Sequence, residues 1–252
     1  MRHRVLSLLL FLAAGCESPS AIELPPEGGT WRLVALDGRP VPVEPTPRLP
    51  GTGCRKVYTA GRFALDAARR RYSYHYDIRS ACDGSLLNRA SADGSYVPGP
   101  GGRLTDPERS FLPFATLQGD TVSWRTLDGV IAFADRGEPV GLVVGTFHFQ
   151  GAEDDVGEGA CDRVVAGSLM LSLDVEAPTV SGTYQLLTHS EDACVGGTTN
   201  RQETGTYEQV DRLLAFRTMV GPNEFFEFRG EIRPEEIVLL RGGVQSDLSF
   251  GW

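Results

Sequence analysis

Five times this chain places serine or threonine and then an aromatic after a glycine: Gly29-Thr30-Trp31, Gly94-Ser95-Tyr96, Gly145-Thr146-Phe147, Gly182-Thr183-Tyr184 and Gly205-Thr206-Tyr207. Each instance lies among β-forming residues. A strand entering a tightly curved sheet needs a residue free to bulge or adopt unusual backbone angles, and glycine supplies it. The hydroxyl residue then faces out and the aromatic faces in. Repeated at strand starts, this builds the inner face of a small antiparallel barrel.

The repeats also align in two sets. Gly29 matches Gly145, Cys54 matches Cys161, Cys82 matches Cys194 and Gly94 matches Gly205, at offsets of 116, 107, 112 and 111. A nearly constant offset over a hundred residues reads as an internal duplication. The fold expected is all-β: two tandem small antiparallel β-barrels or sandwiches after an N-terminal leader. The expected boundaries are a signal peptide over 1–15, a tether over 16–28, a first domain over 29–136, a second over 140–243 and a tail over 244–252. The stretch "RGEP" at 136–139 marks the boundary between the domains.

Strand patterning supports this. "RYSYHYDI" alternates strictly, with Tyr72, Tyr74 and Tyr76 on one face and Arg71, Ser73, His75 and Asp77 on the other. "QGD" and "LDG" read as hairpin turns. "TDPER" suits one short helical turn with Asp106 as its cap. No long helical period occurs.

The leader "MRHRVLSLLLFLAAGC" has Arg2 and Arg4, then an apolar run, then small residues before Cys16. This is the layout of a secretory signal. It resembles the lipobox of bacterial lipoproteins, which implies a lipid (diacylglycerol and palmitate) on Cys16. No later apolar stretch approaches the roughly 18 residues of a membrane helix. The tether "ESPSAIELPPEGG" is polar and proline-rich. The chain has five cysteines. With Cys16 lipidated, four remain for an oxidising compartment. Four cysteines allow three pairings, and the duplication selects Cys54–Cys82 and Cys161–Cys194, one within each unit.

The words "GTWRLVALDGRPVPV", "GRFALDAARRRYSYHYDIR", "DGSYVP" and "GDTVSWRTLDGVIAFA" resemble the lipocalin-like domains of small bacterial lipoproteins. "GTWRLVALDG" is also similar to the start of META-type domains of secreted bacterial proteins. Either resemblance implies a β fold in the cell envelope, with the outer membrane favoured if there are two membranes. Neither brings catalytic residues to carry over.

Candidate chemistry is sparse. His75, His148 and His189 are scattered, and His189 with Ser190 and Asp192 are sequence neighbours rather than a triad. No Cys-x-x-Cys spacing suggests zinc, and the acidic loop "EDDVGE" at 153–158 lacks calcium-loop spacing, so no metal or cofactor is expected. Tyr72, Tyr74, Tyr76 and Trp31 are the candidate ligand-facing residues, for a small hydrophobic or flat ligand; the same stripe also suits a barrel core, as do Phe225, Phe226 and Phe228. Charge is uneven: residues 26–139 carry a net charge of +2 and residues 140–252 a net charge of −11. The acidic half disfavours nucleic acid and suits a basic envelope protein as partner. The function expected is therefore a lipid-anchored, non-enzymatic binding or scaffolding module. An inhibitor or adhesion module docking a basic protein is the alternative, and a hydrolase is the least favoured reading.

Overall fold

The computed structural model describes residues 28–45, 54–109, 113–153, 161–174, 181–192, 194–221, 224–241 and 247–252. The expected signal peptide, Cys16, the tether through residue 27 and most of the acidic loop, 154–158, lie outside the described residues.

The chain is all-β, as its patterning predicts. The first unit comprises β1 (Gly29–Leu36), β2 (Arg39–Pro40), β3 (Lys56–Asp66), β4 (Arg71–Ser80), β5 (Leu86–Ser95), β6 (Val97–Pro98), β7 (Arg103–Thr105), β8 (Pro113–Gln118), β9 (Thr121–Thr126) and β10 (Gly129–Gly137). They form one curled half-barrel sheet in the order β5-β4-β3-β1-β10-β9-β8-β7-β6, with β2 paired to β1. The outermost strands, β5 and β6, are consecutive in sequence and separated by Tyr96 alone. The two ends of the sheet are therefore joined by the chain itself.

The second unit comprises β11 (Gly145–Glu153), β12 (Asp162–Leu173), β13 (Ser181–Asp192), β14 (Thr198–Val210), β15 (Leu213–Gly221), β16 (Glu224–Ile232), β17 (Glu236–Leu240) and β18 (Asp247–Gly251). These close into an eight-stranded antiparallel barrel. The stretch read as a C-terminal tail supplies its closing strand, paired with both β11 and β17. Leu248 and Phe250 alternate into the core there, a pattern too short to stand out in sequence. "TDPER" forms a turn rather than a helix, although Asp106 accepts the N–H groups of Glu108 and Arg109 at 2.8 and 3.1 Å. Among the described residues the helical element is a single 3-10 turn, Pro100–Gly102.

The first strands of the two units match in register. Trp31 pairs with Phe63, and Phe147 with Leu169. Leu65 pairs with Tyr72, and Leu171 with Tyr184. Tyr72 pairs with Gly94, and Tyr184 with Gly205. The repeated glycines serve two purposes. Gly29 and Gly145 open their strands at φ 143° and 132°, where a side chain is strained. Gly205 instead lies beneath a ring: a Cβ there would sit 2.0 Å from the Arg217 carbonyl oxygen and 2.8 Å from Tyr184 Cε1. The expectation of backbone freedom holds at the first pair; at the later glycines, close approach by a neighbouring tyrosine is the cause.

Disulfides join Cys54 to Cys82 and Cys161 to Cys194, with Cα–Cα distances of 5.5 and 5.1 Å. This is the pairing selected by the duplication. Each closes the ends of a two-strand hairpin and removes conformational freedom from the unfolded chain.

The two units pack through the outer faces of β3, β4 and β5 against those of β14, β15 and β16. The apolar centre of this contact is small: Ala64, Val210 and Leu213. The remainder is charged. Arg71 clamps Glu208 through two bonds of 2.5 and 2.7 Å. Arg62 meets Glu231 at 2.8 Å, and Arg229 meets Asp93 at 2.5 Å. Arg89 bridges Asp77 of its own unit and Asp247 of the other. Glu208, Glu231 and Asp247 of the strongly negative half are thus met by arginines of the first, while Arg229–Asp93 runs the other way.

Candidate functional site

Among the described residues, two places bring chemistry-bearing side chains together: the interior of the first unit and the cleft between the units. The interior is aromatic because β4 alternates and every second side chain points inward. Tyr72, Tyr74 and Tyr76 stack in a row, with ring centroids 6.4 and 6.1 Å apart. Tyr58 extends the row from Tyr76 at 5.6 Å. Trp124 on β9 lies across them, 4.9 Å from Tyr74 and 4.9 Å from Phe133. Phe114 packs 4.4 Å from Tyr72.

These rings have different surroundings. Trp31 is fully buried and its indole N–H donates to Asp120 at 3.2 Å, so it is a core residue and not a ligand-facing one. Tyr72 and Tyr76 are buried as well. The Tyr72 hydroxyl donates to Asp106 at 2.6 Å and the Tyr58 hydroxyl to Asp128 at 2.8 Å. Burial first, then these carboxylate partners, raises both phenol pKa values. Burial alone dominates at Tyr76, pushed up to about 12, and at Tyr74, also raised. Among the described residues, neither Tyr74 nor Tyr76 has a hydrogen-bond partner for its hydroxyl. Tyr74, Phe114 and Trp124 remain partly exposed although they belong to the interior cluster.

The second unit shows what the same positions look like when filled. Register places Leu186 where the first unit has Tyr74. It places Leu239 where the first has Trp124, each pairing with the strand before or after in the same way. These leucines are 1% and 0% exposed. Near them a buried Glu203–Arg241 pair, with bonds of 3.0 and 2.8 Å, and a Tyr184–Thr218 hydrogen bond occupy the barrel. The Arg241 guanidinium lies 4.6 Å over Phe228. Phe228 is core, whereas Phe225 and Phe226 are exposed on the β15–β16 hairpin.

The cleft between the units measures about 590 Å³ and is lined by strands of both. His75 is 5% exposed there, and among the described residues neither ring nitrogen has a protein partner. Burial is the main reason its pKa falls to about 3; Glu231 opposes this, while Arg89, Arg62 and Arg229 add to it. The imidazole is therefore neutral at ordinary pH. The polar face of β4 reads in sequence as a solvated surface. Its burial against a second polar face carries no hydropathy signal, so sequence reasoning does not find this site.

The other candidates do not converge. His189 Nδ1 hydrogen-bonds the Asn200 side chain at 2.7 Å on an exposed strand, and Ser190, the next residue, points to the opposite face. His148 is exposed. Asp192 lies beside the Cys161–Cys194 disulfide and accepts the N–H groups of Cys194 and Val195; with both sulfurs bonded to each other, this cluster offers no thiolate to a metal. Arg69 pairs with Asp66, and Arg71 is committed to Glu208.

Compared with known proteins, the chain matches no family model, no curated protein and no solved structure.

Proposed function

We propose that this protein is a non-enzymatic binding module of the bacterial cell envelope, held to a membrane by a lipid on Cys16, and that its first unit holds a flat or apolar ligand against Tyr74, Tyr76 and Trp124. One contrast carries the reading: Tyr74 and Trp124 remain partly exposed inside the first unit, while Leu186 and Leu239 at the same positions of the second are sealed. Exposed rings within a curled sheet offer stacking surface, and a binding site needs apolar walls with a few polar groups to orient the ligand. The Tyr74 and Tyr76 hydroxyls supply those groups.

The test uses the apolar dye N-phenyl-1-naphthylamine and the double variant Tyr74→Leu/Trp124→Leu, which gives the first unit the residues of the second. The wild type should enhance dye emission saturably, and the variant should bind at least about 10-fold more weakly, as expected from loss of two stacking partners. Equal binding by both would refute the site. The anchor is tested separately by palmitate labelling, which Cys16→Ser should abolish. A protein-docking role for the acidic unit is less favoured, because Glu208, Glu231 and Asp247 already face arginines of the first unit.

A further inference from the structure

We propose that the cleft between the two units is a second, separate site that binds a small molecule bearing a carboxylate or phosphate group. The cleft's volume, about 590 Å³, lies in the range of small-molecule pockets. It draws Arg32, Arg62 and His75 from the first unit and Glu231 and Arg233 from the second. Three arginines thus face one carboxylate, and that carboxylate is already held by Arg62 Nε at 2.8 Å. The acids that pair with Arg32 and Arg233, Asp135 and Glu236, are not among the residues lining the cleft. Among the described residues the lining itself thus presents three guanidinium groups and one carboxylate.

Two polar groups there lack protein partners among the described residues although their atoms are buried: both nitrogens of His75 and Oγ1 of Thr59. Buried polar groups ordinarily have partners, and these two line the same space. A neutral imidazole offers one N–H donor to an anionic oxygen, while the arginines supply the charge and planar donor pairs suited to carboxylate or phosphate. Val34, Pro40 and Val41 add apolar surface to the lining, which accommodates a short carbon skeleton. A ligand here touches both units and so holds them together.

The experiment is calorimetric titration of the full chain at pH 7 and low salt with three probes: citrate, inorganic phosphate and octanoate. Citrate or phosphate binding identifies a free small anion, and octanoate binding identifies an anionic amphiphile. At least one probe should saturate with a Kd below about 1 mM. Arg32→Gln, at the exposed rim, should weaken it at least about 3-fold and His75→Phe at least about 10-fold, on the usual scale of charged hydrogen bonds. Arg103→Gln, an exposed arginine on β7, controls for net charge and should leave binding unchanged. If His75→Phe does not fold, the comparison of Arg32→Gln with Arg103→Gln decides alone. Saturation by none of the three probes, or equal weakening by both arginine variants, overturns the proposal.

Discussion

Replacing Arg89 by methionine tests whether the buried ion pairs hold the two units together. The Arg89 Nε and Nη2 donate to Asp77 at 2.6 and 2.9 Å, and Nη1 and Nη2 donate to Asp247 at 2.9 and 2.9 Å. The three side chains are only 7%, 8% and 5% exposed. Burial disfavours the guanidinium's charge, but its hydrogen bonds to both carboxylates outweigh this and hold its pKa above normal. Methionine keeps most of the stem's volume and removes the charge. Two carboxylates then face each other across the space of one guanidinium. At a separation on the order of 5 Å and an effective dielectric of ~20, they repel by roughly 3 kcal/mol. Removing one member of a buried pair typically costs about 3–5 kcal/mol, so the two approaches agree. With a urea m-value of roughly 2 kcal/mol/M, the midpoint at pH 7 should fall by about 1.5–2.5 M, read by circular dichroism. The uncharged triple variant Arg89→Met/Asp77→Leu/Asp247→Asn should recover most of the loss, because a buried ionic cluster replaced as a whole is often near neutral. The Asp247→Asn change keeps a side-chain carbonyl as acceptor for the Arg241 backbone N–H, which Asp247 accepts at 2.9 Å. A loss below about 1 kcal/mol in Arg89→Met would mean that the pairs are solvated in solution. A triple variant as unstable as the single one would mean that packing, not charge, is the cause.

Acid should destabilise the protein through His75: its ordinary pKa is 6.5 and its folded value about 3, so as pH falls below 6.5 the unfolded chain takes up a proton that the folded one refuses. Stability should drop by up to about 1.4 kcal/mol per pH unit between pH 6.5 and 3, and His75→Phe should flatten that slope in urea titrations, whereas an unchanged slope assigns the effect to other groups. Gly205→Ala should cost more than about 2 kcal/mol, because its methyl would strike the Arg217 carbonyl and the Tyr184 ring; a thermal midpoint unchanged from wild type would show that the strands can part at no cost.

The strands, their pairing by unit and the disulfides were legible because each has a local signal. Alternation at 72–76 gives an inward face, and repeated cysteines at a nearly constant offset give a pairing. The closing strand Asp247–Gly251 was not legible, since five residues with two inward side chains resemble any chain end. The cleft was hidden for a different reason. Alternation shows that Arg71, Ser73, His75 and Asp77 share a face, but a polar face buried against another polar face has the same composition as one in water. The tyrosine stripe showed where the interior lies and not whether it is full. That depends on residues distant in sequence, such as Trp124, and only comparison with Leu186 and Leu239 makes the difference visible.

The binding role of the first unit is tested most directly by the indole N–H resonances of the three tryptophans in a proton–nitrogen correlation spectrum of ¹⁵N-labelled protein. Trp124 is partly exposed inside the first unit, Trp31 is sealed and bonded to Asp120, and Trp252 is exposed at the end of the second unit. On titration with N-phenyl-1-naphthylamine, the account predicts a saturable shift of the Trp124 resonance, with Trp252 unmoved. A Trp124 resonance that stays in place while the dye binds, or a shift confined to Trp252, would contradict it.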